Sequence, residues 1–177
     1  MNSIGLIPIL FLLVILPIAA MYDIRFHKIP NWLTFPTMVA GIAFYTCMAG
    51  SKGLIFSVEG LLLGTAFFMV FYVCAGMGAG DVKLMGAIGG ILGPEGVFAA
   101  FLGTALIGGI YAMVLLKLHG RLKETVKRYG EILKVFFFTG KFIYLPPEGG
   151  TKLPVLSYGI AIAFGTLFSI MKNIFCA

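Results

Sequence analysis

From Ile4 to Tyr22 the chain reads IGLIPILFLLVILPIAAMY, and the first charged side chain after it is Asp23. A helix that crosses a bilayer needs about 20 consecutive apolar residues, so this stretch by itself points to a membrane span. A cleaved secretory signal would carry a basic stretch ahead of its apolar run. None precedes Ile4, and further apolar runs follow, so the segment reads as a retained first span.

Five more apolar segments can be drawn downstream: Leu33–Ala49, Leu54–Ala75, Val82–Leu92, Val97–Leu118 and Pro154–Ile174. The fourth is short for a full span. It either extends back through the glycine-rich turn before it or begins below the membrane surface. The segments are separated by Pro, Gly or charge, as at Gly50-Ser51-Lys52-Gly53 and Gly93-Pro94-Glu95-Gly96. Hydrophobic residues make up 60% of the 177 and charged ones 11%, too few to coat a soluble globule, and mean hydropathy is +1.04. No internal repeat is evident. The expected fold is all-α: a polytopic membrane protein with about six transmembrane helices, forming one domain over 1–177.

The stretch 119–153 is the sizeable extramembrane piece. Leu122, Val126, Tyr129, Leu133 and Phe136 recur there at helical spacing, with Lys123, Lys127, Arg128 and Lys134 between them. That pattern predicts one amphipathic helix lying on anionic lipid. When loops are assigned alternately to the two membrane faces, all 13 Lys and Arg except Lys52 and Lys172 fall on one face. Basic loops stay cytoplasmic. The chain is therefore expected in the cytoplasmic (inner) membrane as a multi-pass protein with its N-terminus outside. The same asymmetry accounts for the net charge of +6, so no nucleic-acid partner is expected.

Cys47, Cys74 and Cys176 are isolated, and His27 and His119 are far apart. No metal-ligand spacing exists, so no metal or other cofactor is expected. The cysteines read as small buried hydrophobes. Gly60-x-x-x-Gly64 and Gly86-x-x-x-Gly90 read as helix-packing faces.

Asp23 and Asp81 are the chain's two aspartates. Two complete apolar segments separate them, and two crossings return the chain to the face it left, so both belong at the cytoplasmic side. Asp81 ends Gly78-Ala79-Gly80-Asp81, a turn whose glycines allow close backbone approach before a helix begins. An isolated carboxylate there would also serve as a helix cap. Ionisable groups beside apolar spans are nevertheless functional candidates by default. Two carboxylates brought close do not both ionise easily, so one can activate water while the other donates a proton. Lys83, two residues past Asp81, would either favour an ionised carboxylate or face lipid phosphates.

Tyr22-Asp23 followed by Lys28-Ile29-Pro30-Asn31 resembles the first catalytic segment of the type IV prepilin peptidases, which are GxGD-type intramembrane aspartyl proteases. Gly78-Ala79-Gly80-Asp81-Val82-Lys83-Leu84 resembles the second. Lys152-Leu153-Pro154-Val155-Leu156-Ser157-Tyr158-Gly159-Ile160-Ala161 resembles the start of the family's last span, with looser spacing. The resemblance implies that Asp23 and Asp81 are catalytic, with Gly78, Gly80 and Lys83 in the active-site loop. It implies a substrate of prepilin or pseudopilin type, whose short basic leader precedes a hydrophobic helix and is cut at the cytoplasmic face. Long bifunctional members add a cysteine-bearing region and also N-methylate the product. Lacking that region, this chain is expected to be similar to the compact Tad/Flp-type or preflagellin peptidases and not to methylate. Presenilin-like proteases carry their two aspartates on neighbouring spans, unlike this chain. A proton-coupled transporter and a pilus-assembly scaffold remain the alternatives; the first would place carboxylates near mid-bilayer, and the second would tolerate loss of Asp23.

Overall fold

A computed structural model describes residues 3–75, 77–120, 127, 130–131, 134–135, 138 and 157–175. Among them the regular elements are all helical: α1 (Ser3–Phe26), α2 (Asn31–Ala75), α3 (Ala79–Leu118) and α4 (Tyr158–Phe175). Leu6–Phe26, Asn31–Val73 and Ala79–Leu118 are long and apolar enough to cross a membrane, and Tyr158–Lys172 is a shorter apolar helix. The chain divides into two compact units, Met1–Gly108 with Ser157–Ala177, and Gly109–Leu156.

The breaks expected between segments are found within α2 and α3, each at a single glycine. Gly50 (φ 58°) interrupts α2 and Gly93 (φ 71°) interrupts α3, and this left-handed region is one that glycine enters without a Cβ penalty. The bend at Gly50 doubles α2 back on itself. Twelve residues of straight helix would put Tyr45 and Ser57 about 18 Å apart. Yet the Tyr45 hydroxyl donates to the Ile91 carbonyl at 2.8 Å and the Ser57 hydroxyl to the Gly90 carbonyl at 2.6 Å.

The second of these bonds also has a local cause. The Gly90 carbonyl would accept from residue 94 in an unbroken helix, but residue 94 is Pro and has no N–H. A buried carbonyl without a partner is costly in an apolar medium, and Ser57 supplies the donor. The Gly96 carbonyl likewise accepts from Ser169 of α4 at 2.7 Å. Buried Thr37, Thr104 and Thr166 satisfy their hydroxyls on the carbonyl four residues earlier, at 2.6, 2.7 and 2.7 Å.

The glycine-spaced faces pack as expected. Gly60 lies so close to Gly89 that each would drive a Cβ into the other's carbonyl, and Gly64 meets the Met85 carbonyl in the same way. Around this crossing sit buried Leu84, Met85, Ile88 and Val97. Phe67 stacks on Phe101 at 4.8 Å. Val14, Val39, Val70 and Leu106 each keep more than half their surface exposed, as lipid-facing side chains do. Cys47 is exposed, which corrects the buried reading for that residue: it lies on the outward side of α2, where the surrounding medium is itself apolar.

In the second unit α3 ends at a turn in which Gly120 (φ 67°) donates to the Lys117 carbonyl at 3.0 Å. The amphipathic helix expected over 122–136 lies largely outside the described residues. Lys127, Gly130, Glu131, Lys134, Val135 and Phe138 are helical, and Phe138 is 89% exposed.

Candidate active site

Asp23 lies in the last turn of α1. His27 follows in the left-handed region (φ 50°), its N–H bonded to the Asp23 carbonyl at 2.8 Å. Such a residue closes a helix, and Pro30 then restarts the chain into α2, accepting from Leu33 at 3.1 Å. Asp81 lies in the first turn of α3, where a carboxylate suits the exposed N–H groups. Its carboxyl reaches back to accept from the Gly78 N–H at 3.2 Å, while its own N–H donates to the Gly78 carbonyl at 3.1 Å.

The fold brings the two together. Asp23 and Asp81 line one cavity of about 380 Å³, with Gly78, Ala79 and Gly80 on one side and His27, Lys28 and Ile29 on the other. They are close enough for their charges to interact, and each is only 6% exposed. The intervening chain is the doubled-back α2, which leaves the site at Asn31 and returns to it near Met77. Gly80 is placed against Ile29, whose backbone nitrogen lies 3.1 Å from where a Cβ would stand. α3 begins at Ala79, so the short fourth segment does extend back through the glycine turn.

Lys83 also lines the cavity. Its ammonium donates to Asn31 Oδ1 at 2.9 Å and stands 5.1 Å from the centre of the Phe35 ring, so it ties the start of α3 to the start of α2. The part Asn31 plays in the site depends on a partner 52 residues away, which its place in the Lys28-Ile29-Pro30-Asn31 stretch does not reveal.

The larger omission is Gly159. Its backbone N–H donates to Asp23 Oδ2 at 2.7 Å across 136 residues of sequence. A backbone donor leaves no residue-type signature. The available signal was a glycine in the first turn of an apolar helix, where it costs stability unless something approaches closely. Beside it, Ser157 Oγ and His27 Nδ1 lie 3.4 Å apart. Lys152 to Leu156, the earlier part of that motif, lie outside the described residues. Among the described residues no three His, Cys, Asp or Glu are grouped to hold a metal ion.

Residues 10–113, which include both aspartates, match the type IV leader peptidase family. The prepilin leader peptidase/N-methyltransferase of Bacillus subtilis (strain 168) is 33% identical over 131 residues, covering 69% of this chain and 49% of the relative. The protein of that name from Xanthomonas campestris pv. campestris is 29% identical over 133 residues, covering 67% and 45%. The chain thus spans about half the length of the curated relatives it matches. No solved structure matches it. The long apolar helices are those of a membrane-embedded protein, and the chain belongs to the type IV leader peptidase family.

Proposed function

We propose that this chain is an aspartic endopeptidase that removes the short basic leader from type IV prepilin-like proteins at the cytoplasmic face of the membrane, with Asp23 and Asp81 as its catalytic residues. The observation that carries the reading is that the two aspartates of the chain, on different helices, line one cavity. One carboxylate takes a proton from water, which attacks the scissile carbonyl. The other, protonated, donates its proton to the carbonyl oxygen; as the tetrahedral intermediate collapses it takes that proton back, while the first hands the water-derived proton to the leaving amine. Both are largely screened from bulk water, which strengthens each proton transfer and charge contact. Gly78 and Gly80 shape the turn that presents Asp81, and Lys83 holds that turn to Asn31.

In this reading α1, the two arms of α2, the two arms of α3, and α4 are six spans, and 119–153 is cytoplasmic. A reporter active only in the cytoplasm is expected to work when fused after Lys28 or Lys127 and to fail after Lys52. The opposite pattern would put the aspartates on the wrong face and sink the proposal.

The reaction needs two carboxyls and a water, and no further group. Purified in detergent, the chain is expected to cut a prepilin between leader and hydrophobic helix, and to do so at an unchanged rate with a chelator present. Mass spectrometry of the product N-terminus reads the cut. Loss of cleavage on chelation, with recovery on adding zinc, would recast Asp23 and Asp81 as metal ligands.

A further inference from the structure

We propose that Gly159 is a positioning residue whose backbone N–H pins Asp23 as the ionised member of the aspartate pair, leaving the shared proton on Asp81. This rests on the peptidase reading above and deepens it by giving the two aspartates different roles.

The two carboxyls are held differently. Asp23 Oδ2 accepts a 2.7 Å bond from Gly159, a length typical of a charge-assisted bond. Gly159 is the second residue of the 18-residue α4, and the first four N–H groups of a helix have no partner within it and carry its positive end. That donor therefore favours a negative charge on Asp23. Asp81 Oδ2 receives, among the described residues, the 3.2 Å bond from Gly78, within its own turn, and Gly78 is exposed to competing solvent.

The approach of α4 is also too close for any side chain at position 159. A Cβ there would stand 2.8 Å from Asp23 Cβ and 3.0 Å from Oδ2. With Oδ2 fixed, Oδ1 is the oxygen of Asp23 left to take a proton from water. Among the described residues, the charged or titratable groups that share the cavity with Asp23 are His27 and Lys28 after α1, and Asp81 and Lys83 on α3. His27, four residues from Asp23, acts on Asp23 in the same sense as the Gly159 bond, and Lys83 is taken up by Asn31.

The test uses the fact that the chain holds two aspartates. Labelling the full-length protein with 4-13C-aspartate gives one carboxyl signal for each, assigned by its loss in Asp23→Asn or Asp81→Asn. As pH rises, Asp23 is expected to ionise before Asp81. In Gly159→Ala the Asp23 transition moves up by about one to two pH units, the worth of a hydrogen bond to a charged group. Leader cleavage near neutral pH then loses kcat by roughly tenfold or more, with KM little changed.

Replacing Gly159 by glycolic acid exchanges the N–H for an ester oxygen and adds no side chain. It is expected to give the same shift, and it keeps the test valid if Gly159→Ala fails to fold. Gly165→Ala, which would press on the Thr104 backbone, is the packing comparator; it is expected to lower stability and leave both titrations in place. Ionisation of Asp81 first, or an Asp23 transition unmoved in the glycolate variant, overturns the proposal while leaving the peptidase reading intact. Titration as expected in a chain that cleaves no prepilin supports the pinning and removes the peptidase reading.

Discussion

Asp23→Asn and Asp81→Asn are each expected to cut leader cleavage by at least roughly 10³-fold, the scale of losing a positioned acid or base. Asparagine matches aspartate in shape. At position 23 its amide oxygen can still accept from Gly159, and at position 81 it can still accept from Gly78. Neither substitution removes packing or an apolar residue, so the variants should insert and unfold like the parent. What each loses is the ability to exchange a proton with its partner. The two effects should also fail to add: once one member is gone the pair cannot act, and the double variant should be no worse than either single one. Co-expression with a prepilin, read by the gel shift of the shortened product, measures all three. Full processing by either single variant would remove the dyad, and would favour a scaffold role.

The second large effect concerns stability. Gly60→Leu or Gly89→Leu is expected to destabilise the fold by roughly 3 kcal/mol or more, at or beyond the upper end of overpacking in a close-packed core. At this crossing a new Cβ meets the backbone carbonyl of the facing helix, and backbone cannot swing aside as a side chain can. The damage should spread to activity, because α3 carries Asp81 at one end and rests on α2 along this crossing. Gly109→Ala is the natural contrast: nothing lies within 4 Å of its added methyl, and alanine is a better helix former by up to about 1 kcal/mol. Thermal unfolding in detergent ranks the variants. If Gly60→Leu unfolded at the parent's temperature, the close crossing of α2 and α3 would be wrong.

Much of this was legible in the residues. Apolar runs as long as Ile4–Tyr22 or Val97–Leu118 leave the backbone no solvent to bond to, so they must be helical whatever surrounds them. The repeats Gly60-x-x-x-Gly64 and Gly86-x-x-x-Gly90 marked faces that could pack closely, because small residues at helical spacing form a groove on any helix. Two aspartates in an otherwise apolar chain marked themselves as candidates, since a membrane environment penalises a carboxylate that does nothing.

The rest depended on which helix lies beside which. A glycine between apolar segments signals a break, but only the packed chain makes the one at Gly50 a single-residue bend that folds α2 back, so that Tyr45 reaches the Ile91 carbonyl and Ser57 the Gly90 carbonyl that Pro94 leaves without a donor. Lys83 could have served a carboxylate or a phosphate by sequence; the position of α2 gave it Asn31. The Gly159 bond to Asp23 joins positions 136 residues apart through a backbone N–H. Every residue but proline carries that group, so its role is set by where α4 docks and by the missing side chain that lets it come so near.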